Sequence, residues 1–311
     1  MGEFAIGQSV TREEDPRLLT GRGEFLDDVA LHGQCWGWVA RSPHAHARIH
    51  RIDTAKAAAA PGVLRVLTGE DWAAEKYGSL PCEEKRLRPD GGPMFHPPRP
   101  ALAAGRVRLV GDLVAFVVAE SRARARDAAE LIEVEYEPLP AISAIDQAVA
   151  GGAPAVWDGC PDNICFFHQE GDRAAAEAAI AEAAHVVRRR FTVNRVTAVT
   201  LEPRGCLGDY DRRTGRYTLH TGLQNPHPLR HQIAREVFGI PETDLRVVPG
   251  DVGGSFGMRG GTYPELVLVL WASRLVGRPV KWVCDRSEGF MSDDHGRDNV
   301  SEVTLALDAE G

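Results

Sequence analysis

Between Cys35 and Asp53 the chain reads CWGWVARSPHAHARIHRID, an apolar opening that gives way to alternation at Ala47, Ile49 and Ile52. Alternation puts every second side chain on one face, so this stretch predicts a strand, a turn and a second strand. Residues 53–72 predict a short helix in AKAAAA, a break at Pro61-Gly62 and a strand in VLRVLTG. The clearest unit of the first half is 106–142. There VRLVGDLVAFVVA reads as an apolar strand or strand pair, SRARARDAAELI as a helix, and EVEYEPLPAI as a strand running into Pro138 and Pro140. That β-α-β order predicts an α/β domain with a crossover helix. Residues 1–30 are polar and turn-rich, an irregular arm, and 73–100 carry the Pro, Gly and charge of a loop.

Residues 144–164 (IDQAVAGGAPAVWDGCPDNIC, from Ile145) hold Gly and Pro throughout and predict a linker. The chain thus divides into 1–143, a linker 144–164, and 165–311. The second unit opens with a helix over 172–185, followed by strands in VVRRRFTVNRV, GCLGDYD and RYTLHTG. A helix over 226–238, a strand in LRVVP, a glycine loop, a helix from about Tyr263 to Leu275 and a strand in VKWVCD complete it. No internal repeat is visible.

Composition narrows the class. A chain of 311 residues, 43% hydrophobic and 26% charged, can bury the cores of two ordinary soluble domains. A formal net charge of −8 argues against a nucleic-acid binder that coats phosphates. The arginines between Arg122 and Glu130 alternate with acids and apolar residues, as on a solvated helix face. Six cysteines form no CxxC pair, which favours reduced, mostly buried thiols over a metal or iron–sulfur site. The N-terminus has no apolar signal core or twin arginine, and no apolar run approaches membrane length, so a cytoplasmic location is expected.

The densest chemical signal is PGDVGGSFGMRGG, 249–261, with six glycines between a strand and a helix. Glycine lets backbone N–H groups turn inward and approach a ligand closely, and a helix N-terminus behind them favours an anion. Phe256, among glycines, has few neighbours and could close over that ligand; the plainer reading is a flexible turn. A P-loop would need Lys-Ser/Thr where Met258-Arg259 stand. The dinucleotide fingerprint fails at Val252, and Asp285 comes later than the ~20 residues usual for its acid. A nicotinamide- or flavin-binding oxidoreductase therefore stays as one alternative, and a non-catalytic assembly chain as another. Gln224 leaves a strand end just before Pro226 and could donate to an oxo group, although a loop glutamine is ordinarily plain surface. In LEPRGC, Glu202 and Arg204 predict an ion pair across a tight turn. His44 and His46 suit one strand face without a third metal ligand, and His295 with Arg297 fit either a polar cluster at a site edge or a solvated loop.

Taken in order, IGQSVTREEDPRLLTGRGEFLDD, RSPHAHARI, the 106–142 unit, LEPRG, TGLQNP, DVGGSFGMRGGTYPE and GRPVKWVCDRSEGF resemble the molybdenum-binding subunit of the xanthine dehydrogenase, aldehyde oxidase and aerobic carbon monoxide dehydrogenase family. The resemblance implies an α/β (α+β) fold: a hammerhead α/β domain, then the first part of a mixed α/β molybdopterin-binding domain. It implies a hydroxylase that places a water-derived oxygen on an aldehyde or N-heteroaromatic carbon. Gln224 matches the family's glutamine at the metal's apical oxo group. Gly253, Gly254, Ser255, Phe256 and Gly257 match the loop whose backbone N–H groups hold the cofactor, with Gln224 and Phe256 at the reacting side. Ser255 stands where a third glycine is usual, and Gly260 where xanthine dehydrogenases carry the glutamate that orients a purine, which argues against purines. The family's bacterial members imply the cytosine-dinucleotide form of the molybdenum cofactor, held through its dithiolene with no protein ligand to the metal. The catalytic base is expected outside this chain. So are the partners: a second half of the molybdenum subunit on a separate chain, an iron–sulfur subunit and an FAD subunit.

Overall fold

The computed structural model describes residue 7 and residues 9–82, 84–88 and 90–311; Ile6 and Gln8 of the opening motif lie outside these. Twelve strands are described. They are β1 (Cys35–Arg41), β2 (Ala47–Asp53), β3 (Val63–Thr68), β4 (Arg106–Val107), β5 (Leu113–Ala119), β6 (Glu133–Pro138), β7 (His185–Thr197), β8 (Gly205–Asp211), β9 (Arg216–His220), β10 (Leu245–Val248), β11 (Val280–Val283) and β12 (His295–Leu307). They form a seven-stranded sheet ordered β10-β9-β8-β11-β1-β5-β3, a three-stranded sheet β4-β2-β6 and a two-stranded ribbon β12-β7.

The α/β class holds, but the crossover helix does not. β5 lies antiparallel between β1 and β3, whereas β6 pairs antiparallel with β2 in the other sheet. The helix Arg122–Ala129 carries the chain from one sheet to the next instead of joining parallel neighbours. Burial explains the split. β5 is apolar throughout, and Val114 to Ala119 are at most 1% exposed, which suits a strand covered on both faces. β6, EVEYEP, alternates and keeps one face wet. Likewise β1 and β2 belong to different sheets, so the turn between them is not a hairpin.

Both halves of the sequence build the large sheet. β11 pairs parallel with β1 at Cys35 and Trp36, and antiparallel with β8. The helix Pro264–Val276 lies across β8, buried from Glu265 to Ser273. It begins with proline at its first turn and stops at Gly277, whose φ is +68°. Its close approach depends on Gly208, where a Cβ would stand 2.7 Å from the backbone N of Leu270.

A buried charge network ties this helix to its surroundings. Glu265 takes Arg41 of β1 at 2.6 Å and Arg204 at 3.1 Å; Arg41 also holds Glu288 at 2.7 Å, and Arg204 holds Asp293 at 2.6 Å. Arg204 also stacks 3.7 Å over the Tyr263 ring. The stretch 144–164 is anchored too: Arg108 lies 3.5 Å over Trp157, and Arg88 bonds Asp162 and the Ile164 carbonyl. Of six free cysteines, four are buried and Cys82 and Cys165 are exposed. No described helix is long and apolar enough to cross a membrane.

The final strand is a departure from expectation. His295–Leu307 pairs along all of β7, where the sequence suggests a solvated loop at its start. Gly296, Asp298 and Asn299 are turn formers, and Arg297 and Asp298 do sit at positive φ, +67° and +53°. The ladder with β7 overrides that local preference.

Candidate functional site

The strand β9 ends at His220, and four residues later Gln224 emerges immediately before the helix Pro226–His231. β10 ends at Val248 and releases the glycine loop, which closes on the 3-10 turn Met258–Gly260 and the helix Pro264–Val276. Because β9 and β10 are parallel neighbours, both C-terminal ends open on the same edge of the sheet. That shared edge brings Gln224 and the loop together.

A single hydroxyl joins them. Ser255 Oγ donates to Gln224 Oε1 at 2.7 Å and accepts the Arg259 N–H at 3.3 Å. The Gln224 carboxamide oxygen is therefore occupied, and its NH2 group has no partner among the described residues. Ser255, at the position where a third glycine is usual, is a bridge between the two loops.

Within the loop, Gly254, Phe256 and Gly257 take left-handed backbone at φ +109°, +54° and +92°. The N–H groups of Gly254, Ser255, Phe256 and Gly257 find no acceptor among the described residues, while the next one, Met258, donates to the Ser255 carbonyl. Four consecutive donors without an acceptor are available to an anion. Gly254 is required twice over: its φ excludes most side chains, and a Cβ would press 3.3 Å from Thr200. Phe256 is 82% exposed, so its ring packs on almost nothing in this chain.

Gly253 corrects one detail. Its N–H does not point to a ligand; it donates to Glu202 Oε2 at 2.9 Å. Its role is spatial, because a Cβ there would overlap that of Glu202.

Glu202 and Arg204 do not pair, contrary to the sequence reading. Glu202 meets Arg259 at 2.7 Å and accepts from the Leu26 N–H, and Arg259 also donates to the Glu202 and Pro203 carbonyls. Proline between the two residues sends their side chains apart, and each finds a distant partner. Asp251 is clamped by Arg17 at 2.5 and 2.6 Å, and that hydrogen bond holds its pKa down to about 2. Glu265 is fully buried; burial alone would raise its pKa, but Arg204 and Arg41 prevail and hold it at about 2. Each of these three acids is thus committed to a cation.

Three contributors were not visible in the sequence: Arg259 as the brace of the loop, Thr200 as the wall behind Gly254, and Asp294. The Asp294 carboxylate lies 3.7 Å from where a Gly261 Cβ would stand and has no ion-pair partner among the described residues. Its N–H is fixed to the Tyr263 hydroxyl at 2.9 Å. Gly261 and Asp294 lie far apart in sequence, so nothing local signalled that proximity. His46 is structural, its Nδ1 facing the Pro140 carbonyl at 2.9 Å, and His44 packs on Tyr136. His295 and Arg297 are exposed, and no cluster fit for a metal ion occurs among the described residues.

Two family models match the chain: "Molybdopterin cofactor-binding domain" over residues 156–311, and "Aldehyde oxidase and xanthine dehydrogenase, a/b hammerhead domain" over 20–140. The chain is 38% identical to the 6-hydroxypseudooxynicotine dehydrogenase complex subunit gamma of Paenarthrobacter nicotinovorans, covering 98% of itself and 38% of that protein. It is 36% identical to the nicotine 6-hydroxylase large subunit of the same organism, covering 98% of itself and 36% of that protein. Among solved structures, quinoline 2-oxidoreductase from Pseudomonas putida 86 matches with a TM-score of 0.88 and 40% identity, over 97% of this chain and 37% of that one. The chain therefore spans well under half the length of the relatives it matches.

Proposed function

Because the chain belongs to the aldehyde oxidase and xanthine dehydrogenase family of molybdopterin-binding proteins, we propose that it forms one wall of the cofactor site in a molybdenum hydroxylase. The observation that carries this reading is the row of free N–H donors from Gly254 to Gly257 beside the tethered amide of Gln224. When bound, a molybdenum–pterin group supplies the two-electron oxidation that places a water-derived oxygen on a substrate carbon.

This chain's part is to hold and polarise. The four N–H groups carry partial positive charge with no acceptor among the described residues, and would stabilise an anionic ligand set without reorganisation. The NH2 of Gln224, left free by the Ser255 bond to its oxygen, would donate to an oxo group of the bound cofactor. Phe256 supplies its N–H to the row and a ring that, once covered, excludes water. Gly253 supplies room. Glu202, Asp251 and Glu265 are held by arginines and serve the scaffold, and on this reading the base that takes the substrate-side proton comes from outside this chain.

The finer assignments belong to the same reading. The cofactor is the cytosine-dinucleotide form. The second half of the subunit resides on a separate chain, and iron–sulfur and FAD subunits carry the electrons away in the cytoplasm. Residues 1–143 and 165–311 are the two units of this part of the subunit, joined through 144–164 and sharing the large sheet. The substrate is an N-heteroaromatic compound or an aldehyde. The names nicotine 6-hydroxylase and quinoline 2-oxidoreductase support the first, and Gly260 argues against purines.

The test is the enzyme purified from its source after growth on molybdate or on tungstate. Oxidation of quinoline, nicotine or benzaldehyde with a dye acceptor should depend on molybdate, and acid hydrolysis of the cofactor should release CMP. Stoichiometric nicotinamide or flavin on this chain, in an active preparation without molybdenum, would contradict the proposal.

A further inference from the structure

Two buried N–H donors close to the glycine loop, Nε of Arg259 and Nε1 of Trp282, find no acceptor among the described residues. Both residues line one small cavity of about 20 Å³, together with Thr221, Gly222, Arg204 and Tyr263. Thr221, also buried, donates its hydroxyl to the Gly205 carbonyl at 2.7 Å, which leaves its oxygen able to accept. A buried donor without a partner has lost its water and gained nothing in return, so folded proteins rarely leave two on one cavity.

Size and charge select the occupant. A cavity needs roughly 10–15 Å³ to take a water molecule, and this one has room for one. The cations on its walls are already matched: Arg259 by Glu202 at 2.7 Å, and Arg204 by Glu265 at 3.1 Å and Asp293 at 2.6 Å. An anion would find no cation left over, and it could not donate to Thr221. A neutral ligand that accepts twice and donates once suits all three groups, and a single water does so.

The three groups belong to segments that meet behind the site. Thr221 follows β9 and precedes Gln224 by three residues, Trp282 lies in β11, and Arg259 sits in the turn that closes the loop. The main chain of Arg259 holds both site groups. Its carbonyl accepts the Gln224 N–H at 3.4 Å, and its own N–H donates to Ser255 Oγ at 3.3 Å. Gly222 gives its guanidinium room, because a Cβ there would stand 2.5 Å from Nη1. Whatever ties Arg259 to the sheet therefore fixes where Gln224 and the donor row stand.

We propose that one internal water molecule occupies this cavity, accepting from Arg259 Nε and Trp282 Nε1 and donating to Thr221 Oγ1, and that it locks Arg259 to the sheet behind Gln224. Its effect on turnover rests on the function proposed above; the water site itself rests on this chain alone.

Crystals of the complex purified from its source, diffracting well enough to order internal waters, test this directly. One peak should stand about 3 Å from each of the three atoms. Bromide soaking should give no anomalous signal there. Thr221→Val keeps the shape and removes the acceptor, whereas Trp282→Phe removes a donor and leaves Thr221 alone. Each should lose or displace the peak and lower turnover about 2- to 10-fold, the worth of one neutral hydrogen bond, at unchanged molybdenum. Thr221→Ser keeps the hydroxyl and should keep both peak and rate. A molybdenum-containing complex whose cavity is empty or takes bromide would overturn the water site and leave the cofactor reading intact. Full turnover in the two variants that lose the peak would overturn the lock. The peak in an active complex without molybdenum would instead uphold the water and remove the cofactor reading.

Discussion

Ser255 shows how much one hydroxyl can decide. It fixes the Gln224 carboxamide from its oxygen end, which leaves the NH2 group as donor. Gln224→Ala should keep the fold and most of the molybdenum while slowing turnover about 10–1000-fold, the range for losing one preorganised donor. Ser255→Ala frees the amide without deleting it, so turnover should fall only about 2- to 10-fold, the worth of one neutral hydrogen bond. Equal losses in the two variants would show that Ser255 acts on something other than Gln224. Gly254→Val should act on binding, since a branched side chain meets both a forbidden φ and Thr200. These positions were legible because glycine density and a Gln before Asn-Pro are local signals. Arg259 was not, because its partner Glu202 lies far away in sequence, and only the folded loop brings them together.

Among elements, the helix Pro264–Val276 owes its position to Glu265 as well as to its apolar surface. Glu265→Gln would leave two buried arginines facing a neutral amide, and should destabilise the chain by about 3–5 kcal/mol in denaturant titration. The pH dependence follows from the sign of the shift. A carboxylate held at about 2 in the folded state and near 4 when unfolded contributes stability above pH 4 and loses it as pH falls toward 2. Acid unfolding of the wild type should steepen across that window, and Glu265→Gln should flatten it; an unchanged profile would mean that the network carries no net charge linkage. The longer helices and strands were readable from periodicity, down to the last turn of this helix, whereas the short helices Asp15–Leu19 and Gly69–Glu75 fell in stretches read as arm, strand and loop. Pairing was not. Nothing in β5 and β6 as strings says that they enter different sheets, and β12 hid its first residues behind turn formers.

At the scale of the molecule, the donor row, the glutamine and the braced acids would make, on the proposed function, one wall of a cofactor site. Loaded with cofactor, residues 1–311 alone should give no repeated turnover with aldehydes or N-heterocycles, because Glu202, Asp251 and Glu265 are all committed to arginines. Asp294 is a carboxylate at the margin with no ion-pair partner among the described residues, and Asp294→Asn in the complete enzyme should cost less than about tenfold if the base comes from elsewhere. The most direct measurement is the molybdenum content per chain in the purified complex, wild type against Gly254→Val. The donor row predicts close to one molybdenum per wild-type chain and a large loss in the variant. Equal molybdenum in both would contradict it and return the glycine loop to an ordinary turn.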